Sequence, residues 1–200
     1  MSDVNSPDFW QSIYENHDNG WDLGAPTPVF ENLLSTGRFA PGKMIVLGAG
    51  HGHDARSFAR AGFDMTAVDF AQQAVEAMRL RDEPDTPVEI VQTDIFALPE
   101  SYDGKFDFLL EYTCFCAIDP LRHEEYADLV ERLLKPEAHY IALAFPIEDR
   151  PGGPPYTVSP DELEALFTTR GFDIFERGVS PHTINPRRGR EELLIFRKGK

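Results

Sequence analysis

MIVLGAGHGHDARSFARAGFDMTAVD, residues 44–69, reads as a strand, a glycine loop, a helix, a second strand and a terminal acid. The apolar run Met44–Leu47 is what a buried parallel strand needs, because such strands are covered on both faces. Gly48, Gly50 and Gly52 follow at once. Residues 55–61 carry helical spacing and stop at Gly62, and Phe63 to Val68 forms the second apolar run. Asp69 then lies about 20 residues beyond the loop, at the carboxyl end of that strand, where a carboxylate can accept hydrogen bonds from both hydroxyls of a ribose. The loop spells G-x-G-x-G, not G-x-G-x-x-G, and His53 occupies the place of the third glycine that allows close helix packing. That departure favours an adenosine ligand without a pyrophosphate, such as S-adenosylmethionine. The plainer alternative is a tight turn with no ligand.

The 200 residues fit one domain, expected to span 1–200, with residues 1–36 as a covering segment and 43–200 as the core. No apolar run approaches the roughly 20 residues needed to cross a membrane, and MSDVNSPDFW lacks the basic and apolar regions of a signal peptide. Cys114 and Cys116 stand too close for an ordinary disulfide and are read as structural thiols, which makes a cytoplasmic setting the default. A net charge of −15 argues against a nucleic-acid partner. The small basic cluster Arg187, Arg188 and Arg190 reads as a solvated loop, and the spread acidity as solubility.

Outward from the central stretch, residues 1–8 read as loosely attached. Trp10, Ile13, Tyr14 and His17 share one helix face that ends at Asp18-Asn19-Gly20, before Trp21-Asp22. Those aromatics are either core or a lid over a flat or cationic ligand, where a sulfonium would gain roughly 0.5–2 kcal/mol of cation–π energy. A helix over 29–34 leads into the first strand. After Asp69 come a helix over 71–81, a strand at 88–92 with Asp94 and Ile95 beyond it, and a strand at 106–111 ending on Glu111, Tyr112, Thr113 and Cys114. An acid at position 94 can bond an adenine amino group; the alternative is an ordinary loop acid. In open α/β sheets ligands sit outside the carboxyl ends of the strands, and loop 48–52, Asp69, Asp94 and 111–116 all belong there. Asp119–Lys135 is predicted as one amphipathic helix with Tyr126, Leu129, Val130, Leu133 and Leu134 inward. A fifth strand at 140–145 precedes a Pro/Gly-rich loop, 146–155, suited to a substrate lid. Ser159-Pro160 opens the last helix, and 172–179 with 192–197 form an antiparallel end of the sheet. His51, His53 and Asp54 are potential metal ligands, but they sit in the glycine loop; no metal is expected, and Asp54 is expected to face loop or helix amides. His123 and His139 read as surface helix and strand-edge residues.

Trp21-Asp22-Leu-Gly24 with Pro26 and Pro28, the Gly-Ala-Gly-His-Gly-His-Asp loop, Phe115-Cys-Ala-Ile118, Leu133-Leu-Lys-Pro136 and Gly152-Gly-Pro-Pro-Tyr156 together resemble the thiopurine/thiol methyltransferase superfamily. These are class I S-adenosylmethionine-dependent enzymes, and the chain looks most similar to the plant-type halide/thiol members from about Phe9 to Lys198. The resemblance implies a Rossmann-like α/β fold. Its sheet would have seven mostly parallel strands and an antiparallel final strand, with helices on both faces and an N-terminal helical lid. It implies S-adenosylmethionine as cofactor, S-adenosylhomocysteine as product, and a small thiol, thiolate, halide or thiocyanate as acceptor. By position, Trp10, Tyr14 and Trp21 would close over the cofactor. Gly48 and Gly50 would underlie it, Asp69 would bind the ribose, and Asp94 with Ile95 would hold the adenine. Glu111 and Tyr112 would flank it, Tyr112 near the sulfonium. Arg122 would orient the substrate, and Phe145, Pro146 and Tyr156 would shape the acceptor pocket. Several positions depart from the pattern: Tyr14 replaces a tryptophan, His51 a glycine, Cys114 an aromatic, Phe145 a tyrosine of the halide pocket, and Glu137-Ala138 a glycine. The rival readings are an O- or N-methyltransferase of small molecules and a catalytically silent cofactor-binding protein. A monomer or homodimer is expected.

Overall fold

The structure is a computed structural model that describes residues 4–16 and 18–200; His17 and residues 1–3 lie outside the described residues. It holds a seven-stranded mixed sheet and resolves into two compact units, Met1–Leu98 and Pro99–Lys200.

In the first unit, helix α1 (Pro7–Glu15) starts where Ser6 accepts the Asp8 amide, with Pro at N1. Chain order here begins before residue 8: Trp10 Nε1 donates to the Val4 carbonyl at 2.8 Å. Helix α2 (Pro28–Ser35) buries Val29, Phe30 and Leu33. Strands β1 (Lys43–Leu47), β2 (Asp64–Asp69) and β3 (Val88–Gln92) are parallel in the order β3-β2-β1, with Leu47 opposite Val68 and Asp69 opposite Gln92. Helix α3 (His53–Arg60) joins β1 to β2 and α4 (Gln72–Leu80) joins β2 to β3. Nearly every residue of β1 and β2 is buried, as the unbroken apolar runs require.

In the second unit the order is β4-β5-β7-β6. Strand β4 (Phe106–Tyr112) pairs parallel with β5 (Leu134–Ala144). Strand β7 (Glu192–Lys198) runs antiparallel to both its neighbours, β5 and β6 (Phe172–Gly178), so it alone reverses direction. Helix α6 (Pro160–Thr168) is capped by Ser159, which accepts the Glu162 amide.

The long helix predicted over 119–135 is shorter. Asp119 caps a 3-10 turn, Pro120–Arg122, and helix α5 is His123–Leu133. Leu134 is therefore the first residue of β5 and not the end of the helical stripe. Between Phe106↔Leu134 and Phe108↔His139 the register jumps, so residues 135–138 bulge from the strand. Within that bulge Glu137 takes φ 64°, a left-handed conformation that costs a non-glycine residue about 1–2 kcal/mol. This is where the resemblance puts a glycine. The helical pattern runs through because Leu133 and Leu134 are both buried, so apolar spacing alone does not mark where the helix ends and the strand begins. His123 and His139 are half-buried: His123, expected on a helix surface, stacks on Phe115 with ring centroids 4.0 Å apart, and His139 stacks on Phe108 at 5.7 Å.

Candidate active site

The first unit gathers the glycine loop, Asp69 and the N-terminal aromatics. Gly48, Gly50 and Gly52 all have positive φ, at 62°, 55° and 73°. Gly52 is the residue before α3, and a Cβ there would lie 2.7 Å from Met78 Cγ of α4. The third glycine of the loop thus provides the close helix approach that the displaced motif seemed to lack. Asp69 is buried, yet each carboxylate oxygen has an amide: Gly50 N donates to Oδ2 at 2.8 Å and Ala71 N to Oδ1 at 2.9 Å. Burial pushes the carboxyl up to about 6, against the pull of the Ala71 and Gly50 amides. A carboxylate oxygen accepts more than one hydrogen bond, so Asp69 can stiffen the loop and still receive ribose hydroxyls. These residues fit an adenosine ligand. Asp94 Oδ1 accepts the Phe96 amide at 3.0 Å and caps the turn Ile95–Ala97, with Ile95 buried.

The aromatics are packed as core: Tyr14 is buried with Ala71 and Ala74, and Trp10, Trp21 and Phe70 lie against them. Trp10–Trp21 and Tyr14–Trp21 meet edge-on at 5.6 Å. Tyr14 also reaches the loop, its ring 5.5 Å from that of His51. Asp22 binds the same loop. His51 Nδ1 is 2.5 Å from its Oδ2, and His53 Nε2 is 3.2 Å from its Oδ1. Burial would raise the Asp22 carboxyl, but the Gly24 amide and the two imidazoles outweigh it and hold the group below its ordinary value. Among the described residues, one potential metal-ligand atom from each of Asp22, His51 and His53 lies within 4.8 Å of the others; the acid beside the two histidines is Asp22, not the Asp54 that adjoins them in sequence. Asp54 instead accepts from Thr27, from the amide at 2.6 Å and from Oγ1 at 2.9 Å, and burial pushes its carboxyl up to about 6.

The second unit gathers the end of β4, the loop after β5 and the residues before β7. Glu111, expected to bind cofactor, is 2 % exposed, and its Oε1 accepts the amides of Cys114 (3.0 Å) and Phe115 (2.9 Å). It fixes the turn in which Thr113 takes φ 63°. Burial pushes Glu111 up to about 7. A folded-state value above the ordinary 4.5 means that folding takes up a proton, so this contribution to stability is complete below about 4.5 and is lost as pH rises through about 7. Glu111→Gln keeps an oxygen for both amides. It should flatten part of the fall in Tm between about pH 5 and about pH 8, measured by calorimetry; a slope identical to that of the parent protein would refute this origin. Neither Cys114 nor Cys116 is in a disulfide, both are buried, and burial, then the Glu111 charge, pushes the Cys116 thiol up, as suits a structural residue.

Tyr112 and Phe145 approach edge-on at 6.3 Å. Between them lies a group from the basic cluster that sequence alone places in solvent. Arg187 is buried, and its guanidinium carbon is 4.9 Å from the Tyr112 ring centroid and 4.7 Å from that of Phe145. Arg187 Nη1 donates to the Tyr112 hydroxyl, which donates to Glu191 Oε2 at 2.5 Å. Glu191 is also buried. Burial raises the Tyr112 phenol well above its ordinary value, so it stays protonated at neutral pH. The available signal for Arg187 and Glu191 was their position just before a strand buried on both faces, where charges need partners. Pro146 is buried; its carbonyl accepts the Val158 amide, and Tyr156 N donates to the Cys116 carbonyl at 2.7 Å. The 146–158 loop is thereby tied to the turn after β4. Gly153 lies against the Tyr156 ring so closely that no Cβ fits. Arg122 holds Glu125 through Nε (2.8 Å) and Nη2 (3.0 Å).

Residues 5–196 match the family model of thiopurine S-methyltransferase. A probable thiol methyltransferase 2 of Arabidopsis thaliana is 34 % identical over 196 residues, 97 % of this chain and 86 % of the relative. The thiocyanate methyltransferase 1 of the same plant is 30 % identical over 94 % of this chain and 84 % of its own length. Among solved structures, the Burkholderia thailandensis 1,6-didemethyltoxoflavin-N1-methyltransferase with bound S-adenosylhomocysteine aligns with TM-score 0.75 at 22 % identity, covering 97 % and 87 % of the two chains. The fold is that of Rossmann-like methyltransferases. The chain belongs to the thiopurine S-methyltransferase family, and it is an S-adenosylmethionine-dependent methyltransferase of small molecules. No helix among the described residues is long and apolar enough to cross a membrane.

Proposed function

We propose that the protein methylates a small thiol at sulfur, within a single methyltransferase domain whose residues 1–36 cover the cofactor. When bound, S-adenosylmethionine supplies an electrophilic methyl group. Gly48 and Gly50 underlie it, Asp69 holds its ribose, Asp94 and Ile95 its adenine, and Trp10, Tyr14 and Trp21 border it. Glu111 contributes by shaping the turn that carries Tyr112. The acceptor lies beside Tyr112, Phe145, Pro146 and Tyr156. The observation that carries this reading is the buried Arg187 cation between two aromatic rings, a setting that suits a polarisable anion such as a thiolate. The two plant relatives, named for thiol and thiocyanate, support the same acceptor chemistry. The net charge of −15 supports action without nucleic acid, and two buried cysteines outside any disulfide suit the cytoplasm.

S-adenosylhomocysteine release with a panel of small thiols, hydrosulfide, iodide and thiocyanate tests the proposal. Turnover with thiols is expected; silence with all of them, alongside tight S-adenosylhomocysteine binding, would overturn the acceptor assignment. A second reading, methylation at oxygen, draws on the Mycobacteroides abscessus 2-heptyl-1-hydroxyquinolin-4(1H)-one methyltransferase, 27 % identical over 73 % of this chain. Turnover with a hydroxyquinolone but no thiol would establish it. Arg122→Ala should raise the acceptor KM several-fold while leaving the S-adenosylhomocysteine Kd in place; unchanged acceptor kinetics would reduce Arg122 to its surface pair with Glu125, worth about 0.2–1 kcal/mol.

A further inference from the structure

A thiol must lose its proton before it attacks, and none of the residues assigned above is a base. Tyr112 is itself protonated, and both cysteines are structural. The second unit supplies the missing group. The Tyr112 hydroxyl sits between two buried charges, accepting from Arg187 Nη1 and donating to Glu191 Oε2 at 2.5 Å. From this geometry we propose that Tyr112 relays the acceptor's proton to Glu191, which is the final proton acceptor of the reaction. This rests on the reading of the protein as a thiol methyltransferase.

The step balances. The S–H bond breaks and its proton passes to the Tyr112 oxygen as the phenolic proton moves to Glu191 Oε2. The thiolate then forms its bond to the methyl carbon while that carbon's bond to the donor sulfur breaks. A thioether, neutral S-adenosylhomocysteine and a protonated Glu191 remain, and Glu191 returns the proton to solvent. Arg187 has a defined part, because phenolate character on Tyr112 develops against a guanidinium already bonded to that oxygen. In water the transfer from a thiol to a carboxylate is uphill by about 4 pKa units, roughly 6 kcal/mol. A positive charge beside the thiolate recovers much of that cost in a protein interior. The cofactor's positive charge is such a group, so proton removal is practicable only with the cofactor in place. That order protects the site from ionising thiols it cannot methylate.

The test separates acceptors by their own acidity. Glu191→Gln and Tyr112→Phe are assayed with alkyl thiols, protonated at the assay pH, and with 5-thio-2-nitrobenzoate, already ionised. General-base catalysis is worth about 10²–10⁴-fold. Both variants should therefore lose about ten-fold or more in kcat/KM for alkyl thiols relative to 5-thio-2-nitrobenzoate. Their alkyl-thiol pH profiles should also climb with hydroxide where the parent protein reaches a plateau. Ultraviolet difference spectra of alkyl-thiol binding to a complex with an S-adenosylmethionine analogue that keeps the positive charge on an ammonium in place of the sulfonium give a second readout. Thiolate absorbance should rise on binding to the parent protein and not to Glu191→Gln. An equal loss for both thiol classes, with an unshifted pH profile, assigns Glu191 a purely structural role and overturns the relay. Absence of thiol turnover in the parent protein overturns the acceptor reading instead.

Discussion

Asp69→Ala is expected to weaken S-adenosylhomocysteine binding by at least about 10²-fold. Hydrogen bonds to a charged group contribute about 1.5–3 kcal/mol each. Two ribose hydroxyls therefore account for about 3–6 kcal/mol, and each 1.4 kcal/mol is tenfold in affinity. The loop adds to the loss, because the Gly50 and Ala71 amides both rely on this carboxylate. Without it Gly50 is no longer held in its left-handed conformation beside Tyr14, whose hydroxyl lies 3.4 Å from where a Cβ on Gly50 would be. Two orphaned amides also lower stability, by about 1–3 kcal/mol for each that stays buried. The variant must therefore be titrated well below its own Tm. Near-normal calorimetric binding by the folded variant would remove Asp69 from the cofactor site.

Arg187→Met should act on the other substrate. It keeps an apolar stem between Tyr112 and Phe145 but leaves the buried Glu191 and the Tyr112 hydroxyl without the cation. Removing one charge from a buried ionic network costs about 3–5 kcal/mol, and stacking on the rings adds about 0.5–2 kcal/mol. A clear drop in Tm is expected. On the chemistry, acceptor kcat/KM should fall about 10²-fold or more, in line with the loss of one preorganised electrostatic group. The S-adenosylhomocysteine Kd should stay within a few-fold, since Asp69 and the glycine loop are untouched. A Kd that rises as steeply as acceptor kcat/KM falls would mean that Arg187 supports the cofactor instead.

The contrast between these residues shows what the sequence made readable. Asp69 stood out because its position relative to three glycines reflects local chain geometry: strand, turn, helix and strand leave little choice of where the acid ends up. The buried runs 44–47 and 63–68 were legible for the same reason. Arg187 and Glu191 are joined to Tyr112 across 75 and 79 residues of chain, and no local pattern encodes such a pairing. An arginine beside two others looks solvated until a strand buried on both faces is seen to follow it. The α5–β5 boundary was misplaced for a different reason. Helix and strand periodicities agree over Leu133-Leu134, so only the bulge at residues 135–138 marks where one becomes the other. Asp54 was correctly expected to face amides, but the amide is that of Thr27, 27 residues away.

That bond from Asp54 to Thr27 has a bearing on protein recombination. Thr27 makes no capping hydrogen bond of its own to α2; the start of that helix is anchored by a carboxylate from α3, through both the Thr27 amide and its hydroxyl. The N-terminal segment and the glycine loop are therefore not interchangeable parts. A chimera that exchanges residues 1–36 with those of a relative, to alter what enters beside the cofactor, must transfer a compatible pair at 27 and 54 together. Otherwise it strands a half-buried carboxylate.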